Sequence, residues 1–281
     1  MSRVDLHTHS TASDGRFTPS EVVAKGAAAG LAVMALTDHD TTGGLEEALR
    51  AAADFPGLRV IPGIEISTDL ADGEAHVLGY FIDYKNDGLQ AALARFRGSR
   101  ERRGRGMIEK LGEMGVHIDW ERIREIAGEG SLGRPHIAQA MLEKGYIKSI
   151  ADAFSGYIEH GGPAYVEREK MTPAEAVALI LRSGGLPVLA HPFTVRDPEA
   201  MITGLAAVGL AGVETYYKDY GEKAVARLAG LAERYGLIAT GGSDFHGLGG
   251  SEDAAIGSAD VPLSAAEDLI ALARQRGLRL A

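Results

Sequence analysis

RVDLHTH, residues 3–9, joins a short apolar strand pattern to a pair of histidines. Val4 and Leu6 alternate with polar neighbours, as in a short buried strand, and a turn-rich segment, residues 10–15, follows. Because residues i and i+2 of an extended chain lie on one face, His7 and His9 would present their imidazoles side by side. Neutral imidazole is the commonest protein metal ligand. The stretch indicates either a metal site at a strand end or two structural histidines, and the remaining motifs distinguish these two readings.

The composition is typical of a globular protein large enough for one α/β barrel or for a domain with an insertion. The 281 residues are 45% hydrophobic and 24% charged. The sequence has no cysteine, which excludes disulfides, thiolate metal sites and cysteine nucleophiles. With no basic-then-apolar leader and no apolar run of the ~20 residues that span a bilayer, we expect a soluble, cytoplasmic protein. The net charge of −10 argues against broad binding of duplex DNA.

The order of strand and helix patterns predicts an α/β fold with an interruption. Residues 1–87 alternate between strands (32–36, 59–64, 75–81) and helices (19–30, 44–55), and Thr18-Pro19 supplies a helix start. Residues 88–160 contain only helical patterns, at 89–114, 120–127, 134–144 and 150–159. Alternation resumes over 161–281, with strands at 186–190, 212–215 and 237–240, helices at 173–183 and 222–235, and a last helix capped by Ser264. We therefore predict a parallel-sheet barrel formed by 1–87 and 161–281, with 88–160 as an inserted helical domain that caps the substrate site.

Histidines and carboxylates recur where the predicted strands end. In a parallel barrel these ends converge on one face, where the active site lies. Mn, Fe and Zn ions accept such a mixed ligand set, and Glu65 could bridge two ions ~3.5–4 Å apart. Such a cluster binds phosphoryl oxygens and lowers the pKa of bound water. The predicted reaction is metal-assisted hydrolysis of a phosphate ester, which needs no protein nucleophile. The strand-end residues are His7, His9, Asp38, His39, Glu65, His191, Glu214, Asp244 and His246.

Six motifs resemble the polymerase and histidinol phosphatase (PHP) family: DLHTHS, LTDHD, GIE, HVLGY, AHP and GSDFH, in the family's order from Asp5 to His246. The resemblance implies a distorted (β/α)7 barrel and two to three divalent metal ions. It assigns the first metal to His7, His9, Glu65 and Asp244. It assigns the second to Glu65, His76 and His191, and the third to Asp14, His39 and His246. Some branches of the family have histidine at the Asp14 position, so the metal of that third site stays open.

A second segment points to substrate binding. GRPH, residues 133–136, opens a predicted helix, where free backbone N–H groups and the Arg134 guanidinium would suit a phosphate. It resembles the substrate-binding segment of stand-alone PHP phosphoesterases, which implies binding roles for Arg134 and His136. The alternative is an ordinary helix start with a solvated arginine. A dense basic run is either a solvated helix face or a second contact for an anion. The run comprises Arg95, Arg97, Arg100, Arg102, Arg103 and Arg105.

The sequence leaves more than one role open for several side chains near the predicted site. His191 and His246 are in reach to protonate a leaving alkoxide, although both are better used as ligands. Asp38 would orient a ligand imidazole or belong to a turn. Glu214 is a less secure ligand candidate.

The resemblance implies a branch that acts on nucleotides, removing the 3′-phosphate of 3′,5′-bisphosphonucleotides and trimming short RNA from its 5′ end. The expected partner is thus a nucleotide or short oligonucleotide, with the oligomeric state left open. Histidinol-phosphate phosphatase is the nearest alternative, and the helical insertion argues against it. A non-catalytic PHP module usually loses ligands, whereas every expected ligand position is filled here. Metal-dependent amide or C–N hydrolysis is the third alternative, which the arginine segment disfavours modestly.

Overall fold

A seven-stranded sheet, curved into a nearly closed barrel, forms the centre of the fold. The computed structural model describes residues 3–70, 73–128, 132–167, 171–249 and 254–280. Within these ranges the strands lie side by side in chain order. Leu6 N donates to Gly241 O at 3.1 Å, which brings the first strand against the last. The strands are β1 (Val4–Asp5), β2 (Val33–Leu36), β3 (Arg59–Leu70), β4 (Gly73–Tyr80), β5 (Leu186–Leu189), β6 (Gly212–Tyr217) and β7 (Ile238–Gly242).

The fourth strand departs from the predicted parallel sheet. β4 pairs antiparallel with β3 and with β5, whereas the other neighbouring pairs are parallel. The reason is visible in the sequence, because a parallel partner needs a crossover of a dozen or more residues and only two residues separate β3 from β4. β3 continues to Leu70, past the predicted end at residue 64, and its outer half forms a hairpin with β4. The expectation of an all-parallel sheet was wrong, but the α/β barrel was correct.

Helices surround the barrel and connect its strands. Two of them start as predicted: Thr18 and Thr172 are N-caps, each in a capping box with the glutamate three residues later. The last helix begins at Leu263 and not after Ser264, because the extended residue before it is Pro262. A helix at 198–206 was missed, although Asp197 caps it by accepting from Ala200 N at 3.0 Å. The helices are α1 (Pro19–Ala28), α2 (Leu45–Ala52), α3 (Asp87–Glu113), α4 (Trp120–Ala127), α5 (Arg134–Glu143), α6 (Ile150–Ala153), α7 (Pro173–Arg182), α8 (Pro198–Ala206), α9 (Glu222–Tyr235) and α10 (Leu263–Gln275).

The strand alternation divides the core into an inner and an outer layer. On β2, Val33 and Ala35 belong to one buried cluster, while Met34 and Leu36 belong to another that includes residues of α1 and α7. Successive strand residues point to opposite faces, so a buried barrel strand is apolar on both. Fully burying a large apolar side chain contributes about 1.5–3 kcal/mol, which makes these two layers the main support of the barrel.

Residues between β4 and β5 form a helical region with a hydrophobic cluster of its own. It includes Met107 of α3, Ile123 of α4 and Met141 of α5, all fully or almost fully buried. The segment 150–159, predicted as one helix, is α6 followed by a π-helical turn, Phe154–Ile158. The division of the chain at residues 87/88 and 160/161 stays a prediction. Among the described helices, every one is too short or too polar to cross a membrane.

Candidate metal centre

His7 and His9 follow β1 and lie together inside the barrel, with both side chains fully buried. Nε2 of His7 is 3.1 Å from Glu65 Oε2 and 3.3 Å from Asp244 Oδ1. Nε2 of His9 is 3.3 Å and 3.1 Å from the same two oxygens. Two imidazole nitrogens and two carboxylate oxygens thus converge on one point, as the i, i+2 spacing predicts.

Glu65 is the central carboxylate of the site. It lies within β3, fully buried, where the outer half of the β3–β4 hairpin begins. Its two oxygens face different sets of imidazoles, which is the arrangement expected of a carboxylate that bridges two ions. Oε2 lies 3.1–3.3 Å from ring nitrogens of His7, His9 and His39, and Oε1 lies 2.8 Å from His76 Nδ1 and 3.1 Å from His191 Nε2.

Within the described residues, the donor atoms form three overlapping groups whose members lie within 4.8 Å of one another. One group is the set predicted for the first metal. Another is the third predicted set with His9 added, and the remaining one shares Glu65 and His76 with the second predicted set but has His39 instead of His191. The groups are His7, His9, Glu65 and Asp244; His9, Asp14, His39 and His246; and His39, Glu65 and His76.

Asp14 and His246 complete the outer part of the centre. His246 Nε2 lies 3.4 Å from Asp14 Oδ1, and its ring stacks on His9 with centroids 4.1 Å apart. His39 Nε2 is 3.9 Å from Asp14 Oδ2. Because the outer group has one carboxylate and three imidazoles, it is less anionic than the group around Asp244.

Three residues of the centre or its neighbourhood hold a positive φ without being glycine: Asp40 (52°), His191 (25°) and Asp244 (52°). Such a conformation costs about 1–3 kcal/mol and persists only where surrounding contacts fix it. The backbone N of His191 donates to Glu214 Oε2 at 2.7 Å, which is one such contact. Strain of this kind is concentrated at functional sites.

The pKa values of the cluster reflect buried negative charge. Burial opposes protonation of His9, but the adjacent carboxylates of Asp244 and Glu65 raise its pKa to about 10. Burial lowers the pKa of His39 to about 4. Burial would also raise the pKa of Glu65 and Asp244, yet the neighbouring imidazoles hold both well below the ordinary value. The carboxylates therefore need positive charge beside them, which protons on histidine or metal ions can supply.

The residues present fit divalent metal ions. Both ring nitrogens of His9 and the Oδ1 atom of Asp14 are buried and have no hydrogen-bond partner within the protein. Burying such polar atoms without a partner is unfavourable, and coordination to a metal removes that penalty. Imidazole and carboxylate ligands without thiolate suit Mn, Fe and Zn alike.

Two carboxylates that the sequence left open support the ligands without joining them. Glu214 is fully buried, and its Oε1 lies 2.9 Å from His7 Nδ1, on the opposite side of the ring from Glu65. Asp38 accepts hydrogen bonds from Ser10 N at 2.7 Å and from the Ser13 hydroxyl at 2.7 Å. Asp38 thereby fixes the loop between His9 and Asp14, and Glu214 fixes the His7 ring.

A cavity of about 150 Å³ opens beside the candidate metal ligands. Its lining includes Asp14, His39 and His76, here called the ligand wall. The lining also includes Arg100, Arg103 and Arg134, here called the arginine wall. Arg100 and Arg103 belong to α3 and are buried, at 7% and 5% exposure, which the basic run in the sequence did not reveal. A helix places only part of its circumference inward, so four arginines of that run lie outside this cavity lining.

Arg100 is tied to the barrel. Its Nε donates to Asp40 Oδ2 at 2.8 Å, and its NH2 group bonds to the same oxygen and to the Ser67 hydroxyl. Ser67 Oγ in turn lies 3.4 Å from His39 Nδ1. The position of α3 is thus connected to His39, a candidate metal ligand, through the side chains of Arg100 and Ser67.

The predicted substrate residues take different positions. Arg134, at the first position of α5, lines the cavity and donates to Glu74 Oε2 at 2.8 Å. His136 is buried, and its Nδ1 accepts a hydrogen bond from Gly133 N at 2.9 Å, so this atom stabilises the helix start. Burial lowers the pKa of His136.

Comparisons with known proteins show which proteins this chain resembles. The sequence model of the PHP domain matches residues 5–95. The chain is 35% identical to a 3′,5′-nucleoside bisphosphate phosphatase of Chromobacterium violaceum over 89% of both chains. It is 33% identical to the 5′-3′ exoribonuclease Rnm of Salmonella typhimurium, over 86% of this chain and 84% of the relative. A crystal structure from Bifidobacterium adolescentis, described there as a proposed metal-dependent phosphoesterase, aligns with TM-score 0.88 and 29% identity over 99% of this chain and 97% of that one.

Proposed function

Since this chain belongs to the PHP domain family and is a phosphoester hydrolase, we propose that its substrates are nucleotides. The proposed reactions are removal of the 3′-phosphate from 3′,5′-bisphosphonucleotides, stepwise hydrolysis of short 5′-phosphorylated RNA, or both. The activities named for the Chromobacterium and Salmonella relatives support this choice. A cytoplasmic location stays a prediction.

The observation that carries the proposal is that one cavity is lined by both the ligand wall and the arginine wall. The ligand wall would face a phosphoryl group from the metal side, and the arginine wall would receive its remaining oxygens or a second phosphate. Guanidinium groups bind phosphate through paired, charge-assisted hydrogen bonds. An uncharged amide group offers no anionic oxygens for a cluster of arginines to bind, so phosphoester hydrolysis is favoured.

We propose two to three divalent ions, Mn, Fe or Zn, held by the predicted ligands. The set is His7, His9, Asp14, His39, Glu65, His76, His191, Asp244 and His246. At such a site divalent ions supply polarisation of a phosphoryl oxygen and activation of water. The chain's own contribution is to fix the donor atoms, through Glu214 on His7 and Asp38 on the loop before Asp14.

The substrate contacts follow from the cavity. Arg134 would bind phosphate oxygens, and His136 would support the same segment from the start of α5. His191 and His246 face carboxylates of the centre and are proposed as ligands, while remaining the candidates to protonate a leaving oxygen. The helical region 88–160 would cap the substrate, because α3 and α5 contribute the arginine wall.

Metal analysis combined with turnover tests the proposal. Wild type and Glu65→Ala would be analysed for bound metals and assayed on adenosine 3′,5′-bisphosphate, a 5′-phosphorylated trinucleotide and histidinol phosphate. We expect two to three metals and nucleotide turnover in wild type, and loss of both in Glu65→Ala. Glu233→Ala, an exposed glutamate of α9, is the matched control and should behave as wild type. A metal-loaded protein that hydrolyses only histidinol phosphate would contradict the proposed substrate.

A further inference from the structure

Glu74 lies between two arginines at the edge of the cavity. It belongs to β4, two residues before His76, so the two side chains project from the same face of the strand. Arg134 donates to Glu74 Oε2 at 2.8 Å, and Arg103 NH1 lies 3.9 Å from Glu74 Oε1. Each carboxylate oxygen thus faces a different guanidinium group of the arginine wall.

A carboxylate and a phosphate make the same kind of contact with arginine, since both present paired oxygens to its planar N–H donors. Glu74 therefore already makes, from within the chain, the contact that a substrate phosphate would make with Arg134. The carboxylate lines the same cavity as Arg103 and Arg134, and His39 and His76 line it too. An incoming phosphate cannot reach both arginines without meeting this negative charge.

On the basis of the proposed function, we propose that Glu74 is a specificity-determining residue that competes with the substrate phosphate for Arg103 and Arg134. A phosphate group has enough oxygens to engage both guanidinium groups and still face the ligand wall. An anion that contacts only one arginine leaves Glu74 bound to the other and remains next to its like charge. Glu74 thus selects for anionic groups with several oxygens and lowers the affinity for all others.

The alternative role for Glu74 is purely structural, as the contact that holds α5 of the helical region against β4. The two roles predict opposite changes in phosphate affinity when the charge of Glu74 is removed. If Glu74 competes with phosphate, removing its charge tightens phosphate binding; if it only holds α5 in place, removing the charge loosens the arginine wall and weakens phosphate binding.

Calorimetric titration of inorganic phosphate into the metal-containing protein distinguishes the competing role of Glu74 from the structural one. Glu74→Gln keeps the side-chain length and removes the charge, and Glu74 is partly exposed, so the variant should fold. We expect its Kd for phosphate to fall about tenfold, since the apparent Kd scales inversely with the fraction of protein that is ready to bind. In an Arg134→Met background the effect of Glu74→Gln should shrink to about twofold or less, because both changes act on one contact.

Glu143→Gln is the matched control, because Glu143 pairs with Arg122 at 2.8 Å on the exposed surface of the same helical region. Its phosphate affinity should equal that of wild type. A Kd that is unchanged or higher in Glu74→Gln overturns the proposal, as does a full tenfold gain that persists without Arg134. Tighter phosphate binding in Glu74→Gln together with no nucleotide hydrolysis by wild type would refute the proposed function and leave this inference standing.

Discussion

Glu214 Oε1 lies 2.9 Å from His7 Nδ1, with both side chains fully buried, and this contact determines which nitrogen of His7 faces the candidate metal centre. With Nδ1 bound to Glu214, Nε2 is directed towards Glu65 and Asp244. A carboxylate behind a ligand imidazole fixes its orientation and increases its basicity. Glu214 is therefore part of the candidate site although it belongs to none of the three ligand groups.

Replacing Glu214 by glutamine should weaken metal binding at the group around His7. The amide keeps the volume but removes the negative charge behind the imidazole, and losses of such partners typically cost about 10–100-fold in metal affinity. Competition with a chromophoric chelator measures the change. Glu233→Gln, an exposed position on α9, is the control and should bind metal as wild type does. Equal affinities in Glu214→Gln and wild type would contradict the orienting role.

Removing the metals should lower the thermal stability of the protein. Chelation leaves His9 and Asp14 Oδ1 buried without partners and the carboxylates without neutralising cations. Ligands that bind only the folded state stabilise it by about 2.7 kcal/mol at a hundred times their Kd. Differential scanning calorimetry with and without EDTA should therefore show a Tm that falls and recovers when Mn is added back. In Glu65→Ala this response should be absent, and a wild-type Tm indifferent to both treatments would argue against a metal centre.

Most of the predicted ligands stand where an apolar strand pattern gives way to a polar motif, whereas Asp14 and His76 were predicted only from the family resemblance. Glu65 was predicted at the end of a strand, but β3 continues past it to Leu70. The predicted parallel direction of β4 was wrong, because the two residues between β3 and β4 are too few for a crossover helix. Glu214 stayed ambiguous because a ligand and its orienting partner have the same residue type at the same kind of position.

Of the arginine wall, Arg134 was a predicted substrate residue, but the sequence did not show which arginines of the basic run would line the cavity. Arg100 and Arg103 belong to a run of arginines that is spread around the circumference of α3. Which of these arginines face the cavity depends on how α3 packs on the barrel. That packing is set by tertiary contacts such as the one between Arg100 and Asp40, which lie 60 residues apart along the chain. Glu74 acquires its partners Arg103 and Arg134 only when α3 and α5 are in place.

Arg100→Met should destabilise the fold markedly. The change leaves the buried carboxylate of Asp40 without its cation, and breaking a buried ion pair from one side costs about 3–5 kcal/mol. Urea denaturation followed by circular dichroism measures the loss. Adding Asp40→Asn should recover part of the stability, because the orphaned charge is then gone. Arg122→Met, which breaks the exposed pair with Glu143, should cost at most about 1 kcal/mol. Similar losses for the two arginines would mean that Asp40 does not depend on Arg100.

Gly242→Ala should disturb the metal centre through the backbone. A Cβ at this position of β7 would lie 2.4 Å from His7 Cβ and 2.5 Å from His7 N, so β1 and its histidine must shift. Overpacking of this kind costs about 1–3 kcal/mol, and a displaced His7 should also reduce bound metal, measured by elemental analysis. Gly230→Ala is the matched control, since nothing lies within 4 Å of a Cβ there and α9 should gain about 0.5–1 kcal/mol. Full metal content in Gly242→Ala would show that His7 does not need this close approach of β7 to stay in place.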